Sequence, residues 1–126
     1  MKNCLFCDWK NKEANKLIAY SANFYARFDK FPVNPGHCEI IPKKHIVSFF
    51  NLNQKQLNEY YRLIKKVKKI IDKKFKPQGY NIGINEGEAA GRTIHHLHIH
   101  IIPRYTGDVK NPRGGIRHVI PGKGNY

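Results

Sequence analysis

Hydrophobic residues recur along the chain with two spacings, and the shorter spacing predicts strands. Residues 16–29 are rich in β-branched and aromatic side chains, which predicts two strands around a turn near residues 21–23. The segment "FPVNPGH" carries two prolines and a glycine and predicts a loop, and "CEIIPK" predicts a short strand that ends near Pro42. Short strands joined by hairpin-length connections indicate an antiparallel sheet.

The longer spacing predicts one helix over residues 53–76. Its apolar residues recur at steps of three and four and form one stripe, which consists of Leu57, Tyr61, Ile64, Val67, Ile71 and Phe75. Asn51 or Asn53 is suited to cap the start, and Pro77 and Gly79 are suited to end the helix. The other face carries nine Lys and Arg residues against two acidic ones. A solvated helix face explains this charge, and so does a docked polyanion.

Beyond the helix, the pattern returns to strands. "YNIGIN" predicts a strand, "EGEAAGR" a glycine-bearing turn and "TIHHLHIHII" a strand that Pro103 closes, whereas the Gly- and Pro-rich tail from residue 107 is predicted to be irregular. Strands around one main helix indicate the α+β class. At 126 residues, the chain is predicted to be a single domain over 1–126.

Composition narrows the class of protein. Hydrophobic residues make up 40% and charged residues 25%, which is typical of a globular chain. No apolar run approaches the roughly 18–20 residues that cross a bilayer, and "MKNCLFCDWK" lacks the apolar stretch of a signal peptide. Together with the odd count of three cysteines, this predicts a cytoplasmic protein with no membrane partner. The net charge of +14 favours a polyanionic partner, and a solvated lysine-rich surface explains it as well.

Four histidines, His95, His96, His98 and His100, fall within six residues. In an extended strand, alternate side chains share a face at spacings of about 6.5–7 Å, so the last three would line one face. Leu97, Ile99 and Ile101 would take the opposite, apolar face. Three imidazoles at period two are hard to explain by packing, which leaves a metal site or nucleophilic and acid–base chemistry.

The segment before these histidines helps to choose between the two uses. "INEGEAAGRT" contains two glycines, an Asn and a Thr, which suit close approach to a phosphate, and Arg92 adds a fixed cation. This setting favours phosphate chemistry.

The sequence resembles the histidine-triad (HIT) family of nucleotide hydrolases and transferases. "HLHIHII" fits the pattern His-x-His-x-His followed by two apolar residues, and "NEGEAAGRTIHHLHIHIIPR" and "NPGHCEIIPKKHI" also look like family segments. The resemblance spans residues 4–104. It implies a HIT-like α+β fold, with an antiparallel sheet of about five strands, one long helix and one short helix. It also implies a homodimer.

The resemblance assigns roles by position. His98 would be the nucleophile that attacks the α-phosphorus of a nucleotide, with His100 at the leaving group and His96 completing the triad. Asp29 would bind the ribose, and the phosphate-binding residues would be Asn85, Gly91, Arg92 and Thr93. Arg92 stands where the family usually has Gln, which favours a longer polyphosphate. Arg27 stands where many relatives have an apolar residue of the base pocket, so the resemblance does not determine which base is preferred.

The implied activity is hydrolysis of a dinucleoside polyphosphate, such as diadenosine tetraphosphate, or of a nucleoside phosphoramidate, with no organic cofactor. A nucleotidyl transferase or phosphorylase of the same family would share the covalent intermediate. An alternative from another class is a zinc-stabilised nucleic-acid-binding module that uses the Lys-rich helix and the basic tail. The enzyme is favoured over nucleic-acid binding.

Cys4 and Cys7 form a C-x-x-C pair, which by itself fits half of a zinc site or a redox motif. In one branch of the HIT family such a pair binds structural zinc, and the resemblance implies that His45 and His96 complete a Cys₂His₂ site. His37 is predicted to be structural or exposed. His95, on the opposite face from the triad, is predicted to pack or to end the sheet.

Overall fold

The computed structural model describes residues 3–126, and its centre is a five-stranded antiparallel sheet in the order β1-β2-β3-β5-β4. The elements are β1 (Leu17–Tyr20), β2 (Phe24–Phe28), β3 (Cys38–Pro42), α1 (Gln54–Phe75), β4 (Gly79–Gly83) and β5 (Ile99–Arg104). The shorter helical segments are 3-10 turns at Leu5–Cys7, Phe49–Asn51, Glu88–Ala90 and Gly115–Val119. The predicted α+β architecture of one long helix and five strands is therefore confirmed. Within the described range, no helix is long and apolar enough to span a bilayer.

The ends of α1 follow from local hydrogen bonding. The Asn53 side chain accepts from the Gln56 backbone, and the Gln56 side chain accepts from the Asn53 backbone, which makes a capping box. Lys76 ends the helix in the left-handed conformation at φ 52°, and Pro77 follows it. The interpretation of Asn53 as the cap therefore holds.

The buried stripe of α1 is rotated from the predicted one. Tyr60, Leu63, Val67 and Ile71 are buried, whereas Tyr61 is 60% exposed. Leu57 and Tyr61 of the predicted stripe are therefore exposed, because apolar residues at 60 and 63 continue the same spacing on a neighbouring face. Tyr60 is the buried residue because its ring stacks on Phe24, with ring centroids 4.5 Å apart, and its hydroxyl donates to the Ile40 carbonyl at 2.6 Å.

The sheet separates a core face from a second face. On the core face, alternate strand residues such as Ala26, Ile40 and Ile101 pack against α1. Their neighbours along the strands, Tyr25 and Ile41, point the other way and pack with Phe6. Charged strand residues share this second face, and the candidate site lies there.

The strand that holds the histidines starts later than predicted. β5 begins at Ile99, because the chain bends at residues 94–96, where the His96 amide donates to the Ile94 carbonyl at 2.9 Å. Pro103 lies inside β5 instead of closing it. It is tolerated because β5 pairs with β3 only as far as Ile101, so the missing N–H faces no strand on that side.

Candidate active site and metal centre

A row of side chains crosses the second face of the sheet. The registers place His100 of β5 beside Glu39 of β3, and Glu39 beside Arg27 of β2. His98 lies two residues before His100, and both histidines line a cavity of about 300 Å³. The polar and small residues around the same cavity are Arg27, Asp29, Lys30, Glu39, Asn85, Gly91 and Thr93. Six of the residues predicted to handle a nucleotide are thus brought together.

Two predicted residues do not face this cavity. The Arg92 guanidinium turns back towards the protein, where Nη1 donates to the Val47 carbonyl at 3.3 Å and lies 3.6 Å from a Glu86 carboxylate oxygen. His96 is fully buried on the side of the cysteines. The charge of Arg92 is therefore engaged by Glu86 and the Val47 carbonyl and not directed into the cavity, and its phosphate-binding role stays a prediction.

The hydrogen bonds of His98 determine which nitrogen carries its proton. Nδ1 lies 2.8 Å from the His96 carbonyl oxygen, which can only accept, so Nδ1 carries the hydrogen. Burial lowers the pKa of His98, which keeps the ring neutral near pH 7. Nε2 therefore holds a free lone pair, which is the state a nucleophile requires.

A second relay fixes His100. The Val33 amide donates to His37 Nδ1 at 3.1 Å, so the proton of neutral His37 sits on Nε2, which lies 2.9 Å from His100 Nδ1. His100 Nδ1 thus accepts, and Nε2–H is left as a donor. Burial lowers the pKa of His37, and burial together with the neighbouring histidines lowers that of His100 to about 4. Asp29 Oδ2 lies 3.4 Å from His37 Nε2, so a negative charge lies beside the nitrogen that carries this hydrogen.

The sequence interpretation missed two residues of this site. His37, predicted to be structural or exposed, is buried and contacts His100 directly. Glu39 was assigned no role, yet it is buried beside Arg27, and burial raises the pKa of its carboxyl to about 7. The alternation of β3 was the available signal, since Glu39 is charged between apolar neighbours and His37 lies two residues before it.

The four predicted metal ligands also meet. His96 Nδ1 lies 3.3 Å from Cys4 Sγ and 3.5 Å from Cys7 Sγ, and His45 Nδ1 lies 3.2 Å from Cys7 Sγ. All four ligand atoms lie within 4.8 Å of one another. A tetrahedral zinc with ordinary bond lengths needs S···N separations of about 3.6 Å, so the cluster fits with a small expansion.

The outer contacts of this cluster suit a metal as well. His96 Nε2 donates to the Pro42 carbonyl at 2.7 Å, which leaves the Nδ1 lone pair facing the two sulfurs. The His96 backbone carbonyl is the group that accepts from His98 Nδ1. The ring of His96 therefore lies in the candidate metal site, and its backbone carbonyl contacts His98.

His95 has neither role. Its side chain is 61% exposed, with Nε2 3.9 Å from Glu88. Of the two predicted positions, packing is not observed, because the bend at residues 94–96 precedes β5 and turns this ring outward ahead of the strand.

Comparisons with known proteins agree with this architecture. The model of the HIT domain family matches residues 10–107. A HIT-family protein from Bacillus subtilis superposes with a TM-score of 0.78 at 32% identity, covering 84% of this chain and 76% of that one. A zinc-bound histidine triad family protein from Mycobacterium smegmatis superposes with a TM-score of 0.75 at 27% identity, covering 87% and 81%. An asymmetrical bis(5'-nucleosyl)-tetraphosphatase from Schizosaccharomyces pombe is 38% identical over 77 residues, which are 61% of this chain and 42% of that protein.

These likenesses cover the sheet, the long helix and the segment with the three alternating histidines. They confirm the resemblance drawn from "HLHIHII" and the fold that it implied. The chain belongs to the HIT family.

Proposed function

We propose that this protein is a nucleotide hydrolase that cleaves at the α-phosphorus through a nucleotidyl intermediate on His98. The observation that carries the proposal is the 2.8 Å hydrogen bond from His98 Nδ1 to the His96 carbonyl, because it leaves Nε2 unprotonated beside the cavity. Dinucleoside polyphosphates and nucleoside phosphoramidates are the substrate classes, and the S. pombe relative supports the first.

The reaction divides into two displacements. In the first, the Nε2 lone pair of His98 bonds to the α-phosphorus, and the bond from phosphorus to the leaving group breaks. The Nε2–H of His100 donates a hydrogen bond to the departing oxygen or nitrogen and stabilises the charge that develops there. A polyphosphate departs as an anion, and a departing amine takes its proton from solvent. In the second, water adds to phosphorus and releases a proton to solvent, and the bond to His98 breaks to release a nucleoside monophosphate and the neutral imidazole. Each displacement has a lower barrier than direct attack by water.

The surrounding residues would hold the phosphate. Asn85 and Thr93 line the cavity and offer side-chain donors. The Gly91 amide already donates to the Glu88 carbonyl at 2.9 Å, so Gly91 contributes its backbone conformation, with φ at 95°, and not a free donor. A side chain at this φ would be strained. We assign Asp29 to the ribose hydroxyls, since it lies at the edge of the same cavity.

We also propose that Cys4, Cys7, His45 and His96 hold a structural zinc ion. The mixed thiol and imidazole set supports this metal, and so does the zinc-bound M. smegmatis relative. Zinc there would fix the position of the histidine segment and takes no part in the displacements. The homodimer remains a prediction.

A turnover panel tests the proposed hydrolase. The full-length protein is incubated with diadenosine tetraphosphate, guanosine and adenosine phosphoramidates and, separately, a single-stranded RNA, and products are separated by chromatography. We expect a nucleoside monophosphate from at least one nucleotide. Adding inorganic phosphate distinguishes a phosphorylase, which would release a nucleoside diphosphate instead. If no nucleotide is turned over and RNA binding weakens steeply with salt, the result would contradict the hydrolase. It would favour the alternative of a nucleic-acid-binding module.

His37 is expected to act as a positioning residue for His100. In His37→Phe the Nε2–H donor is lost, so His100 is no longer held in the tautomer that carries its proton on Nε2. We expect kcat to fall by about 10²-fold for a substrate whose poor leaving group depends on the hydrogen bond from His100 Nε2. For a p-nitrophenyl nucleotide ester, whose leaving group departs without one, the loss is expected to be below about threefold.

The leaving-group dependence separates positioning from general damage to the fold. His37→Gln keeps a side-chain donor and should retain more activity than His37→Phe. Equal losses for both leaving groups would show that His37 serves only to stabilise the loop before β3.

A further inference from the structure

The buried pair of Arg27 and Glu39 extends the catalytic row away from the histidines. We propose that Glu39 selects guanine at this end of the cavity by accepting hydrogen bonds from its N1–H and its N2 amino group. The inference rests on the proposed function only in requiring that the cavity bind a nucleotide.

The strand registers give the direction in which a nucleotide would lie. His100, Glu39 and Arg27 stand side by side on β5, β3 and β2, at about 4.8 Å per strand. A carboxylate oxygen of Glu39 lies within 4.8 Å of a ligand nitrogen of both His98 and His100. A nucleotide with its α-phosphate at the histidines therefore extends over Glu39 towards Arg27.

Part of the cavity wall suits a flat ring. Leu5, Phe6 and Ile94 line the cavity, and the Arg27 guanidinium lies 5.2 Å from the centroid of the Phe6 ring. Apolar walls with one polar group at the floor are the usual surroundings of a nucleobase, which has apolar faces and a polar edge. A ribose has hydroxyl groups over its faces and fits such walls less well.

The carboxylate of Glu39 can accept hydrogen bonds that no described residue donates. Its side chain is 6% exposed, and its contact with Arg27 Nε at 3.2 Å lacks the geometry of a hydrogen bond. Arg27 instead donates from Nη1 to Asn15 at 2.9 Å. Among residues 3–126, no donor makes a hydrogen bond to the Glu39 carboxylate. A buried carboxylate with free lone pairs is unfavourable, and a ligand with donors would relieve this cost.

The donor pattern selects guanine among the bases. A carboxylate only accepts, and it can accept from two adjacent donors at once. Guanine presents N1–H next to the N2 amino group. Adenine presents one amino group next to the N1 lone pair, which would face the carboxylate and be repelled. Arg27 stabilises the charged form of Glu39 and so strengthens this choice.

Binding of mononucleotides to the full-length protein tests the inference. Calorimetry with GMP, IMP and AMP is run at pH 8, where Glu39, with a pKa of about 7, is ionised. We expect GMP to bind at least about tenfold more tightly than AMP, with IMP between them because it lacks the N2 amino group. In Glu39→Gln the ratio of GMP to AMP affinity should fall below about threefold.

Two further variants keep the result interpretable. Glu59→Gln makes the same chemical change on α1, where Glu59 bonds to Ser21 and Asn23 outside the cavity, and it should retain the preference. If Glu39→Gln fails to fold, the double variant Arg27→Met with Glu39→Leu removes both charges together and should lose the preference. Equal affinity of the wild-type protein for GMP and AMP, or a preference that survives the double variant, overturns the inference.

The same measurements separate this inference from the proposed function. Guanine-selective binding without turnover of any nucleotide would contradict the hydrolase and support base recognition by Glu39. Turnover with equal kcat/KM for adenosine and guanosine phosphoramidates would support the hydrolase and contradict base recognition.

Discussion

Replacing His98 by alanine is expected to lower kcat by about 10⁴-fold or more on every nucleotide that the wild-type protein turns over. The loss is this large because both displacements pass through the bond between Nε2 and phosphorus. The dissociation constant for the nucleotide should change by less than about threefold, since the remaining walls of the cavity stay in place. Single-turnover kinetics and calorimetry measure the two quantities.

A matched control lies three residues away. His95 belongs to the same histidine-rich segment but is exposed, so His95→Ala should keep kcat within about twofold of the wild-type value. Acid-quenched wild-type protein should also carry the mass of a nucleoside monophosphate, localised to His98 by peptide mapping, and the alanine variant should not. An alanine variant that retains a tenth of the activity would contradict covalent catalysis at His98.

The parts of the site that the sequence could predict are those specified by short-range spacing. His98 and His100 share the cavity because alternate residues of an extended segment share a face, and this holds even though β5 begins only at Ile99. Asn85 and Thr93 lie near them because both belong to the segment 84–98, which connects the paired strands β4 and β5.

The parts that could not be predicted depend on contacts between distant segments. Glu39 belongs to the site because β3 pairs with β5 in one particular register, and a local pattern does not contain that register. Arg92 has the charge and the donors that suit a phosphate ligand, yet its guanidinium contacts the Val47 carbonyl and Glu86 and does not line the cavity. On α1, two overlapping apolar stripes fit the same helical period, and only packing on the sheet selects the one with Tyr60 and Leu63.

The proposed zinc site and the proposed nucleophile share one residue, His96, so zinc there would affect the active site as well as the fold. The ring of His96 faces Cys4 and Cys7, and the backbone carbonyl of His96 accepts a hydrogen bond from His98 Nδ1. Phe6 packs edge-on against both rings, with centroids 6.0 Å from His96 and 5.0 Å from His98. Displacing His96 would therefore change the tautomer and the direction of His98, and not only the stability of the amino-terminal segment.

Removing one thiol of the cluster is accordingly expected to affect metal content, stability and rate together. In Cys7→Ser, zinc should fall from about one equivalent per chain to less than roughly 0.2, because a structural site needs all four ligands. The free energy of unfolding should drop by on the order of 5 kcal/mol, since metal binding to the folded state contributes to its stability. The value of kcat should fall by about tenfold or more as the His96 carbonyl loses its fixed position.

Cys38 provides the control for this experiment. It is a buried thiol on the core face of β3 and lies outside the cluster, so Cys38→Ala should cost some stability and leave the zinc content at about one equivalent. Elemental analysis, thermal unfolding and kcat are measured on the same preparations, purified without chelators. Wild-type protein with less than roughly half an equivalent of zinc would contradict the four-ligand site. If kcat stayed unchanged in zinc-free Cys7→Ser, the metal would act on the fold alone, and the coupling through the His96 carbonyl would be wrong.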